Sequence, residues 1–218
     1  MAWNGADSKF GEVKPCLQSY HLRAYNVLSL KMRKKGKGSR EMDIVRARAI
    51  ENSMMCLTIF SRSIHTFFAL ADALEHLDRG TGDLFPFRGV CNALIGDAAI
   101  HWCKVFGSDA EGTHWKCVMD DHDGFRKVLF DELQTTPIEF HAYWKKMTEF
   151  RSNVIAHFNA EHFSNGSTPE FDTAITAAAT AHKYMYRSFP PNVHYAGPMD
   201  LVSYGKTASE AVMNRILV

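Results

Sequence analysis

Two residues of this chain have the types and spacing for proton transfer at a phosphate. Arg151 and His157 stand six positions apart in Phe150-Arg151-Ser152-Asn153-Val154-Ile155-Ala156-His157. A guanidinium can hold the negative charge that builds up on a phosphoryl group in its transition state. An imidazole titrates near neutrality and can move a proton. Together such a pair could cut RNA without a metal.

The element that must position them is a strongly patterned helix. Thr136-Pro137-Ile138-Glu139 is a capping box with proline at the first helical position. It predicts a helix over 137–159. On a wheel at about 100° per residue, Phe140, Tyr143, Trp144, Met147, Phe150, Val154, Ile155 and Phe158 share one apolar arc. Arg151 falls in the middle of that arc, and His157 falls at its edge. An arginine on a packing face needs an anion or a set of acceptors, because leaving it buried and unpaired is costly. Two accounts stand. The arginine pairs with an internal carboxylate such as Asp97, Asp120 or Asp131, or it faces a second copy of itself and a substrate phosphate. His157 has its own structural account as a half-buried helix histidine bonded to a neighbour. The two side chains are about 120° apart on this wheel, so one isolated helix would not aim both at one phosphate.

The rest of the chain reads as helical. No stretch alternates apolar and polar residues between turn signals, so an all-α fold is expected. A first helix is predicted from Pro15 into the 31–37 region, ending in the basic linker Lys34-Lys35-Gly36-Lys37-Gly38-Ser39. A long helix over 41–77 carries Ile50, Met54, Leu57, Phe60, Ile64, Phe67, Phe68 and Leu74 at helical spacing, either kinked near 61–63 or running as one bundle helix. A third, over 88–106, stops at Gly107, read as a left-handed cap, with Gly89 and Gly96 expected at close helix contacts. Further helices are predicted over 125–133, 170–186 and 208–217. The domain division is 1–40, a basic helix and linker, and 41–218, the helical domain.

The 218 residues, 46% hydrophobic, suffice for a well-formed core. Residues 1–48 carry 11 Lys/Arg against 4 Asp/Glu, and the remainder 14 against 20. The net charge of +1 thus hides a basic N-terminal segment that could release counterions from an RNA backbone. Its simpler account is a solvated linker. Five cysteines without a C-x-x-C pair point to a reducing, cytoplasmic setting. The apolar run 54–74 is interrupted by Arg62, His65 and Asp72, so a buried helix is expected and no membrane partner.

The same residues carry a resemblance. Arg151 and His157, separated by Ser-Asn-Val-Ile-Ala, resemble the R-x(4–6)-H motif of the HEPN superfamily. These are compact helical proteins of toxin–antitoxin and phage-defence systems. The Val-Ile-Ala-His-Phe-Asn form is similar to the abortive-infection U-like branch, as are Ala93-Leu94-Ile95-Gly96-Asp97 with Trp102 and Phe106-Gly107, and the Thr168-Pro169-Glu170-Phe171 restart. The resemblance spans about residues 50–190. It implies an up-and-down HEPN-like bundle with extra terminal helices. It also implies a homodimer that cleaves RNA by attack of a ribose 2′-OH on the adjacent phosphate, with no cofactor. His157 would be the general base or acid and Arg151 the charge stabiliser. Asn153 or Ser152 would orient the histidine, since the family places a polar residue directly after the arginine. Lys146, Lys34, Lys35 and Lys37 would contact RNA, and an antitoxin is a candidate partner. The alternative is a non-catalytic dimer of the same type that binds a partner or nucleotide.

Other constellations carry less. Asp120-Asp121-His122-Asp123 contains the His-Asp dipeptide of metal phosphohydrolases, but acids at a helix entry explain it more simply. His157 and His162 miss the i, i+4 spacing of a helical zinc pair, and no phosphate-binding glycine loop appears.

Overall fold

The computed structural model describes residues 37–76, 85–156 and 168–216. By its contacts the chain divides into residues 1–34 and 35–218, and all the described residues belong to the second unit. The predicted first helix, with Lys34 and Lys35, lies outside the described residues, as does His157. Among the described residues all regular structure is helical. The helices are α1 (Lys37–His76), α2 (Phe85–Phe106), α3 (Trp115–Val118), α4 (His122–Leu133), α5 (Pro137–Phe150), α6 (Phe171–Arg187) and α7 (Leu201–Ile216). A π-helical segment, Arg151–Ala156, continues directly from α5.

The long helix α1 runs unbroken through 61–63 and forms the centre of the fold, packing on α2, α7 and α6. Ile50, Met54, Leu57, Phe60 and Ile64, three or four residues apart, form a single fully buried stripe, as their spacing predicts. Phe68 departs from it and is exposed, while Leu70 takes the inward position. By length and composition α1 could cross a membrane, but its apolar stripe is covered by α2 and α7. It is a core helix here. His65 is held within it, Nδ1 lying 2.7 Å from the Ser61 carbonyl.

Helix ends follow local chemistry. Asp121 caps α4 by accepting from the Gly124 N–H at 2.9 Å, which makes the 120–123 run a helix entry. Gln134 closes α4 in the left-handed region, φ 49°. The Thr136/Glu139 capping box forms in full, with Pro137 in the first turn of α5.

Three expectations are corrected. Gly107 is not left-handed. A Cβ there would press into the Cys103 carbonyl, which accepts the Gly107 N–H at 2.8 Å, so glycine serves close approach instead. Gly89 faces open space and marks no helix contact. The terminal helix begins at Leu201, seven residues before the expected Ala208. Asp200 starts it by accepting from the Val202 and Ser203 N–H groups, both at 3.0 Å, a capping signal present in Pro198-Met199-Asp200.

Candidate functional site

Helix α5 is anchored at three points. Met147 is fully buried, the Trp144 indole N–H donates to the Phe106 carbonyl at 2.5 Å, and the Tyr143 hydroxyl donates to the Glu170 carbonyl at 2.8 Å. These contacts hold one face of α5 against the end of α2 and the start of α6. Arg151 follows on the same side, half-buried, with its backbone N–H shared between the Met147 and Thr148 carbonyls.

At Arg151 the α-helix gives way to π geometry through Ala156. A π turn closes its hydrogen bonds one residue later than an α turn and is therefore wider. The 100° wheel thus stops applying at the motif itself, and His157, the other half of the expected separation of about 120°, lies outside the described residues. Ser152 and Asn153 are both half-buried within the π segment, and Asn153 is engaged by a neighbour.

The Arg151 side chain lies beside the Cys103 thiol of α2 and lines a cavity of about 640 Å³. Burial pushes the thiol up to about 11 against the opposing pull of Arg151, so it is neutral at physiological pH. The internal-carboxylate account of Arg151 finds no partner among the described residues. Asp97 instead accepts from the Ser63 hydroxyl at 2.5 Å and pairs with His101 at 3.1 Å, while Asp120 pairs with Arg46. The arginine faces a neutral thiol on one side and an open cavity on the other.

The cavity has walls from four regions. The turn after α2 contributes Gly107, Ser108 and Asp109, and α3 with its cap contributes His114, Trp115 and Lys116. Helix α4 adds Arg126, Leu129 and Phe130. Helix α5 presents His141, Trp144, Thr148 and then Arg151 at three- and four-residue spacing, one continuous face. His141 and Trp144 stack, ring centres 5.4 Å apart and planes 22° apart. Across the cavity, the Arg126 guanidinium lies 5.4 Å and the Lys116 ammonium 5.9 Å from the Trp115 ring centre. His114 accepts the Lys116 N–H at 3.2 Å, and burial, helped by nearby Lys116, pushes its pKa down to about 4. It is neutral and structural, not an acid–base group at pH 7.

Of the residues singled out from sequence, Arg151 lines this cavity, and Ser152 and Asn153 follow it in the π segment. Lys146 is exposed on α5 and not among the lining residues, and Lys37 opens α1. Lys116, Arg126 and His141 were missed, because they come from three helices with no local motif. The His141, Trp144, Thr148, Arg151 spacing was the one signal available. Among the described residues no three His, Cys, Asp or Glu side chains converge as a metal site would require. His122 instead contacts the Lys116 carbonyl at 2.9 Å, and Asp123 pairs with Arg126 at 3.0 Å.

No protein-family model matches this chain, and no curated protein and no solved structure is significantly similar to it.

Proposed function

We propose that this protein is a metal-independent endoribonuclease of the HEPN type, acting as a homodimer in a toxin or phage-defence setting. The observation that carries the reading is Arg151. It opens a π-helical turn, has no carboxylate partner among the described residues, and lines a cavity large enough for a nucleotide. A cation kept half-buried without a counter-charge is costly unless a ligand supplies one.

In the proposed reaction His157 removes the ribose 2′-OH proton, and the oxygen attacks the adjacent phosphorus. The P–O5′ bond breaks and the departing 5′ oxygen takes a proton from water, leaving a 2′,3′-cyclic phosphate and a 5′-hydroxyl. Arg151 holds the developing negative charge on the non-bridging oxygens. Ser152 or Asn153 orients the histidine. The homodimer rests on the resemblance carried by the motif. Cytoplasmic placement is supported by Cys56, Cys91, Cys103 and Cys117, all free thiols. An antitoxin belongs to the same proposal.

The test is incubation of the purified protein with total RNA, with and without EDTA, beside a folded His157→Ala variant. Cleavage indifferent to EDTA and lost in His157→Ala is expected, with light scattering reporting a dimer. Equal cleavage by both proteins sinks the assignment. No cleavage by either, with RNA still bound, favours the non-catalytic binding protein of the same type.

A further inference from the structure

The Arg151 cavity carries more than a phosphate contact. Three of its lining side chains are cationic, Lys116, Arg126 and Arg151, against one carboxylate, Asp109. Two of those cations hold exposed partners. Lys116 pairs with Asp109 at 3.3 Å and Arg126 with Asp123 at 3.0 Å, the carboxylates being 69% and 95% exposed. Pairs so open to water are weak, and a ligand anion can draw both cations away. The cavity therefore offers an excess of positive charge at its mouth.

Its α5 wall is aromatic. Trp144 is fixed in plane by its N–H bond to the Phe106 carbonyl, and His141 lies stacked on it with its own outer side exposed. A stack built in advance, with one face in solvent, needs little ordering to accept another ring. Inorganic phosphate would leave this aromatic surface unused, and an uncharged ring would leave the cations unused. One ligand class uses both: a planar base joined to a phosphate.

We propose that the cavity between α3, α4 and α5 is a nucleotide-binding pocket. An unpaired base stacks on His141 and Trp144, and its phosphate lies among Lys116, Arg126 and Arg151. Duplexed bases are already stacked and cannot present a free face to a side pocket, so the strand form is single-stranded. The inference rests on the ribonuclease reading for the phosphate at Arg151, and supplies the base-contacting part of that site.

The experiment measures binding with a ligand that cannot be cut, so that it stands apart from catalysis. The full-length protein is titrated with a fluorescent 2′-O-methyl single strand, the same strand annealed to its complement, adenosine 5′-monophosphate and inorganic phosphate. His141→Ala and Arg126→Gln alter exposed or half-exposed side chains outside the proposed catalytic set. Each is expected to weaken binding of the single strand by about tenfold, the scale of one lost stack or charged contact. The duplex and inorganic phosphate are expected to bind more weakly than the strand. Mononucleotide binding as tight as the strand's assigns the same pocket to a free nucleotide and upholds the chemistry. Unchanged binding in both variants overturns the inference, as does phosphate binding equal to that of the mononucleotide. Cleavage of unmodified RNA with unchanged variant binding overturns the pocket alone. Pocket-dependent binding with no cleavage overturns the ribonuclease alone.

Discussion

The Arg151 guanidinium lies against the Cys103 thiol, and burial keeps that thiol protonated despite the cation beside it. A buried thiolate would have made the pair self-sufficient. A neutral thiol does not offset the arginine, which has no carboxylate partner among the described residues and lines the cavity. On the proposed ribonuclease reading, that charge meets the substrate phosphate.

Arg151→Met should therefore cost function without costing the fold. The variant keeps the aliphatic stem and strands no carboxylate among the described residues, so its denaturation midpoint should equal or exceed that of the wild type. Its RNA cleavage should fall by about 10²–10³-fold, the usual loss for a transition-state charge stabiliser. A marked drop in the urea midpoint would show that the arginine has a structural partner instead.

Alkaline pH should destabilise the protein through Cys103. Its folded pKa of about 11 stands above the ordinary 9.0, so the folded state keeps a proton that the unfolded chain has lost. The stability it contributes is present below pH 9 and disappears as pH rises toward 11, a loss of about 3 kcal/mol at most. Half-buried Tyr143 and Tyr195, both pushed upward by desolvation, bend the curve the same way at still higher pH. Chemical denaturation across this window should give a shallower decline for Cys103→Ala than for the wild type. Superimposable curves would mean the thiol is reached by solvent.

Acid should act through His182. This fully buried histidine has Nε2 3.1 Å from the Tyr195 hydroxyl, and burial pushes its pKa down to about 4. The imidazole is thereby kept neutral beside the tyrosine hydroxyl. Because the unfolded chain takes up a proton near 6.5, stability falls as pH drops from there to 4, by about 3 kcal/mol for this one group. His114, shifted the same way, adds to the effect. Thermal melts between pH 7 and 5 should show a falling midpoint in the wild type and a flatter profile in His182→Gln, whose amide can still hydrogen-bond Tyr195.

Helix α7 crosses α1 at Gly205. A Cβ there would meet His65 Nδ1 at 2.5 Å and the Ser61 carbonyl at 2.8 Å, besides colliding with the Ser61 hydroxyl. The same hydroxyl donates to the Leu201 carbonyl at 2.7 Å, tying the two helices at their closest point. Gly205→Ala should cost about 1–3 kcal/mol. Adding Ser61→Ala should restore only part of it, because the backbone carbonyl stays. Full recovery in the double variant would place the conflict in the hydroxyl alone.

Much of the fold was legible because helices are encoded locally. The buried stripe of α1 follows from spacing, and the start of α5 follows from Thr136, Pro137 and Glu139. The start of α7 is marked locally too, by Asp200, although the expected helix began only at Ala208. Gly107 has a different reason from the expected one, since its need for glycine comes from the approach of the Cys103 carbonyl and not from its own φ.

The candidate site divides differently. By itself the sequence determined that Arg151 lies on the packing side of its helix, since periodicity along one helix is a property of neighbours in the chain. Only the tertiary structure decided what that arginine meets. Lys116, Arg126 and His141 join it from α3, α4 and α5, and the Cys103 thiol of α2 lies beside it. The π turn at 151–156 likewise appears only in the folded chain. Hydrogen-bond register at a helix end and charge pairing across helices depend on packing between distant segments, which no local pattern encodes.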